Sequence, residues 1–120
     1  MEQSAVYDDF SELMIFDLAR GKRTQLTNRM RARDPDLAPN GEDVAFGVTR
    51  EGTISLATAK LRGNAAAGWR IEDIQVRYTP SPLSSIAQPK FSPDGKRVVF
   101  ALKQNGRASE EIVEFDLERN

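Results

Sequence analysis

The sequence predicts an all-β fold of about nine short antiparallel strands, arranged in repeated units that stack on one another. Three observations predict it. Residues Asp34–Val48 (DPDLAPNGEDVAFGV) and Gln88–Leu102 (QPKFSPDGKRVVFAL) write one phrase twice. A gapless overlay sets Pro35 on Pro89, Leu37 on Phe91, Pro39 on Pro93, Gly41 on Gly95, Val44 on Val98 and Phe46 on Phe100. A supersecondary unit used more than once stacks because a single copy cannot bury its apolar face alone. Second, β-rich apolar runs follow turn residues at matching places in both copies. Third, no segment carries the 3.6-residue periodicity of an amphipathic helix.

Each element has its own warrant. Leu13–Arg20 (LMIFDLAR) matches Ile112–Arg119 (IVEFDLER), so the chain begins partway through a unit. A turn at Ala19–Lys22 leads to a strand near Arg23–Thr27. In the repeated phrase, Ala38-Pro39-Asn40-Gly41 and Ser92-Pro93-Asp94-Gly95 are tight turns. Proline presets φ and glycine accepts the positive φ before the next strand. Short strands precede them near Asp36–Ala38 and Lys90–Ser92. Val44–Thr49 and Val98–Lys103 follow them and are almost continuously apolar, so both faces of each should be covered. Arg50-Glu51-Gly52 and Gln104-Asn105-Gly106 read as hairpin connections to Thr53–Lys60 and Glu110–Leu117. Trp69–Tyr78 makes a fourth strand. Its apolar positions change parity between Ile71 and Ile74, which predicts a bulge at Glu72-Asp73. Arg62–Gly68 and Thr79–Ala87 are small, polar or Pro/Ser-rich and read as loops. Strands therefore count two, four and three along the chain, and Met1–Phe10 is a candidate disordered segment.

Composition narrows the function classes. The chain has 120 residues, enough for one domain with an ordinary core. Net charge is −1, so no global field draws nucleic acid or an anionic membrane, and no apolar run reaches membrane-spanning length. The opening MEQSAVYDDF is acidic and lacks the apolar centre of a signal peptide. There is no cysteine, hence no disulfide or thiolate chemistry, and no histidine, the commonest general base and transition-metal ligand.

The phrases Phe16-Asp17-Leu18, Gly21, Leu26-Thr27, Asp34-Pro35 and Pro89-Lys90-Phe91-Ser92-Pro93-Asp94-Gly95 occur in that order. In this the chain resembles the TolB-like β-propeller repeat family, also called PD40 or WD40-like, over about residues 11–118. The resemblance implies antiparallel β-propeller-type blades: a half blade at 11–28, a full blade at 29–79 and a partial blade at 86–118. Propellers close with about four to eight blades, so the expectation is a partial propeller or one completed by oligomerisation. It further implies a non-enzymatic scaffold for protein or peptide partners, periplasmic or in the cell envelope, with a cytoplasmic setting as the alternative. A second reading makes the chain a propeller fragment of a larger enzyme, such as a prolyl-oligopeptidase-type serine peptidase, inert alone. A free edge on Glu110–Leu117 predicts self-association through exposed strand edges.

Candidate sites are few. Arg20, Lys22, Arg23, Arg29, Arg31 and Arg33 form the densest charge feature. In the family reading Asn28–Asp34 lies near the rim of the central channel, where Arg29, Arg31, Arg33 and Asp34 form a candidate ligand site for a carboxylate, a phosphate or an acidic peptide. A solvated surface explains the same residues without a ligand. Asp34, Asp36, Asn40, Glu42 and Asp43 supply oxygens for a hard cation such as calcium, but Pro35 and Pro39 interrupt them, the spacing does not match an EF-hand loop, and turn chemistry explains Asn40 better. Ser81, Ser84 and Ser85 lack a histidine base and suit turns beside Pro80 and Pro82. No catalytic residue, metal or cofactor is expected, no nucleic acid partner and no membrane insertion.

Overall fold

The computed structural model describes residues 4–9, 11–64 and 66–119. These residues form ten strands and no helix. β1 (Ser4–Asp9), β2 (Glu12–Asp17) and β3 (Lys22–Gln25) make one antiparallel meander. β4 (Ala32–Leu37), β5 (Asp43–Arg50), β6 (Thr53–Asn64) and β7 (Gly68–Tyr78) make a second, and β8 (Ser85–Phe91), β9 (Arg97–Lys103) and β10 (Glu111–Asp116) a third. A parallel bridge, Ile54 to Ser85, ties the second to the third. The three pack face to face as blade-like layers, N-terminal, middle and C-terminal, in an open arrangement among the described residues.

The repeated phrase adopts one backbone shape in both copies. Ala38 accepts from the Gly41 amide at 2.9 Å and Ser92 from the Gly95 amide at 2.8 Å, with φ of 74° and 75° at the two glycines. Upstream, the ladder slips between Arg33 and Asp36 and again between Ala87 and Lys90. Asp34 and Gln88 occupy these slips, both at φ 53° and both before a proline. The Phe-Asp-Leu phrases also agree. Asp17 Oδ1 accepts the amides of Ala19 and Arg20, and Asp116 Oδ1 those of Glu118 and Arg119.

Apolar faces are distributed by position in the stack. Val44, Phe46 and Val48 of β5 meet Leu13 and Ile15 of β2 in one core, which Val6 and Trp69 border. Ala45 and Leu56 turn the other way and meet Ile86, Val98, Phe100 and Leu102 in a second core, bordered by Tyr78 and Phe115. The middle blade is thus covered on both faces, as the continuous apolar character of β5 predicts. For β9 the expectation fails. Val98, Phe100 and Leu102 are buried, but Val99 and Ala101 are half exposed, because no sheet lies beyond them among the described residues.

Other boundaries also differ from expectation. The tenth strand is β1, which falls inside the stretch suggested as disordered. It pairs with β2 without a break from Ser4↔Asp17 to Asp9↔Glu12, a pairing that its two aspartates mask in the sequence. β4 and β8 start well before the predicted short strands, because pairing resumes upstream of each bulge. Arg62–Gly68 is mostly hairpin, with Arg62 opposite Arg70 and Gly63 opposite Trp69. Small polar residues suggested a loop, but Gly63 is required by close approach: a Cβ there would lie 2.0 Å from the Gly68 carbonyl oxygen. The predicted bulge in β7 is present one position late. Glu72 stays opposite Lys60, and Asp73 and Ile74 together face Ala59.

Candidate functional site

The loop from β3 to β4 is fastened before it presents any charge. The Leu26 amide donates to Leu13 at 2.8 Å, and Thr27 Oγ1 accepts the Leu13 amide at 2.9 Å. The Thr27 hydroxyl donates to the Glu12 carboxylate, whose second oxygen accepts the Arg29 amide at 2.6 Å. Arg31 accepts from the Thr49 amide at 3.2 Å, and the Ala32 amide donates to Ser11 at 2.8 Å. Arg29 and Arg31 are held at φ 61° and 53°, a left-handed conformation that disfavours residues with a Cβ. The side chains of Arg29, Arg31 and Arg33 project into solvent. Arg33 lies 4.0 Å from the Asp34 carboxylate, whereas Arg29 and Arg31 make no ion pair among the described residues.

The basic cluster of the sequence is divided. Lys22 sits opposite Asp17 at one end of β3, and Arg29 is tied to Glu12 beyond the other end. Arg20 lies 3.9 Å from Asp17, and Arg23 lies 3.5 Å from Asp9. Arg29, Arg31 and Arg33 remain exposed at the entry to β4.

Asp34, the fourth candidate, joins blades. A bulge frees an amide from the ladder, and the freed amide can take an acceptor outside it. The Asp34 amide donates to Asp8 at 2.7 Å, and the Gln88 amide donates to the Asp34 carboxylate at 3.1 Å. Asp36 makes a second join beside it, accepting the Phe91 amide at 2.8 Å from the regularly paired part of β8, with Lys90 Nζ 3.8 Å away. These contacts line an open cleft of about 320 Å³ between Asp34, Pro35, Gln88, Pro89 and Lys90. Sequence reasoning missed this use of Asp34 and Asp36, although the pairing of Asp34 with Gln88 spans one repeat, 54 residues.

The remaining acidic residues serve turns and ion pairs. Asn40 Oδ1 accepts the Glu42 amide, and Asp43 meets Lys60 at 2.6 Å. Burial alone would raise the Asp43 pKa. Hydrogen bonds from Lys60 and Asn40 and the charges of Lys60 and Arg62 outweigh it, holding the carboxyl below its ordinary value. Among the described residues no three acidic side chains converge as a metal site would require. A second cleft of about 270 Å³ lies between the middle and C-terminal blades, where Lys60, Arg77 and Lys96 face Asp43 and Glu118. Ser84 is buried, lies 2.8 Å from the Ser81 hydroxyl and accepts the Asn105 amide. It closes a turn, with no base in contact among the described residues.

No family model and no curated protein matches the chain. Among solved structures it is similar to TolB from Acinetobacter baumannii, with a TM-score of 0.43 and 14% identity. That match covers 98% of this chain and 39% of the other, so the chain spans well under half of that protein's length. The PD40-type resemblance accordingly rests on the motif residues themselves.

Proposed function

We propose that the chain is a non-enzymatic protein-interaction module whose arginine rim receives a carboxylate-rich peptide segment. One observation carries the reading. Arg29 and Arg31 are kept in an unfavourable backbone conformation by Glu12, Ser11 and Thr49, yet their side chains are exposed and meet no carboxylate among the described residues. Left-handed backbone at a non-glycine residue costs on the order of 1–2 kcal/mol and persists where surrounding contacts impose it. The strain presets the Arg29 and Arg31 backbones beside the exposed Arg33, and guanidinium groups are suited to forked hydrogen bonds with carboxylates. Self-association belongs to the same reading, since among the described residues β10 is hydrogen-bonded on one side only, to β9. The motif resemblance adds a cell-envelope setting to the proposal.

Fluorescence anisotropy with a labelled hexaglutamate peptide tests the rim. The expected result is saturable, salt-sensitive binding that the Arg29→Ala/Arg31→Ala/Arg33→Ala variant loses and a hexaglutamine peptide never shows. Equal binding of both peptides, or an unaffected triple variant, overturns the reading.

A further inference from the structure

We propose that Asn105 is a site of spontaneous deamidation, at which the β9–β10 turn converts to aspartate and isoaspartate, while the fold protects Asn40 in the same Asn-Gly pairing. The reaction is independent of the interaction role proposed above.

An Asn-Gly pair carries an intrinsic reaction. The main-chain nitrogen of the glycine gives up its proton to base and attacks the asparagine Cγ. The new N–C bond closes a five-membered succinimide, and Nδ2 leaves as ammonia, taking up a proton. Water then opens the ring at either carbonyl. Opening at Cγ leaves aspartate. Opening at the main-chain carbonyl leaves isoaspartate, in which the chain runs through Cγ. Amide and water become carboxylic acid and ammonia, with no oxidant or reductant involved. Glycine favours the attack because it has no Cβ beside the nitrogen and reaches backbone angles closed to other residues. The chain contains two such pairs, Asn40-Gly41 and Asn105-Gly106, whereas Asn28 and Asn64 precede residues with a Cβ.

The two turns treat the reacting groups in opposite ways. Asn40 Nδ2 donates to Asp43 Oδ2 at 2.8 Å, and Asn40 Oδ1 accepts the amides of Glu42 at 2.7 Å and Asp43 at 3.2 Å. The Gly41 amide donates to Ala38 at 2.9 Å. Attack would deprotonate that amide and pull the carboxamide out of its contacts. Asn105 is exposed, and among the described residues neither its carboxamide nor the Gly106 amide makes a hydrogen bond. Gly106 stands third in the turn that Gln104 closes by accepting the Arg107 amide at 3.1 Å, a place whose own amide has no acceptor within the turn. The contrast is therefore set inside each turn, by its own neighbours, and owes nothing to what covers the sheets.

Asn105 is also where the hairpin meets the loop before β8. Its amide donates to the Ser84 hydroxyl oxygen at 2.9 Å, and Ser84 is buried. Isoaspartate inserts a methylene between this anchor and Gly106, inside the turn that leads to the Leu102↔Glu111 pairing. Either product adds a negative charge to the turn.

The folded chain is held for several days in mildly alkaline buffer at body temperature, digested with an acid protease and mapped by mass spectrometry. Amide loss at Asn105 should run at least about tenfold faster than at Asn40, with isoaspartate among the products. In a urea-unfolded sample the contacts around Asn40 are gone, so the two rates should come within about threefold of each other. An intact Asn105, equal loss at both sites in the folded chain, or a gap that survives in urea overturns the inference.

Discussion

Replacing Phe100 with alanine tests whether the blades are held by face-to-face packing. The side chain is 1% exposed and sits in the core between the middle and C-terminal blades. Its ring lies 5.5 Å from that of Tyr78, across the junction. Deleting a buried phenylalanine removes its transfer free energy and leaves a cavity, together about 3–5 kcal/mol. Domains of this kind hold only about 5–15 kcal/mol, so the variant loses a large share. With a urea slope of about 1–3 kcal/mol per molar, the midpoint should fall by at least about 1 M. Phe115→Ala removes a ring from the same core that is already half exposed, 6.3 Å from Tyr78. It should cost roughly half as much. The chain's single tryptophan, Trp69, borders the other core, so its fluorescence follows the N-terminal junction while Tyr78 follows the C-terminal one. Coincident transitions are expected, because the middle blade contributes to both cores. A Phe100→Ala midpoint within about 0.3 M of the parent, or an equal loss for Phe115→Ala, refutes the packing argument.

Asp34→Ala should destabilise the chain by about 1–2 kcal/mol, since the Gln88 amide loses a charged acceptor that is itself partly exposed. Hydrogen exchange at Gln88 should quicken, and unchanged protection there would remove the proposed join between blades. Asp43 has a depressed pKa in the folded chain, so its contribution is present above the unfolded-state value of about 4 and disappears as pH falls through the lower folded value. Urea midpoints measured across that acid range should drop more steeply for the parent than for Asp43→Asn, and parallel curves would exclude the Asp43–Lys60 contact as the cause. The hexaglutamate and deamidation experiments complete the set.

What was legible in the sequence is local. Ser-Pro-Asp-Gly and Ala-Pro-Asn-Gly dictate the same turn because proline and glycine restrict φ wherever they stand. The strands after them carry apolar residues whatever they pack against, and the parity change at Ile71–Ile74 is visible in the spacing alone. The amides that join blades are different. That Asp34 accepts from Gln88, and Asp36 from Phe91, depends on two inner strands lying side by side, a contact 54 or 55 residues long in the chain. Sequence reading saw a ligand candidate and an acidic cluster there, because charge shows in composition while its acceptor role needs a neighbour.

Repetition along the chain determined the β architecture, the turn chemistry and the positions that face a core. Tertiary structure decided which of those positions are covered. Leu13, Leu56 and Ile112 occupy one place in the repeat, and only stacking order distinguishes two buried side chains from one that is exposed. Burial is a property of what lies opposite a face, and no residue encodes its neighbour by itself.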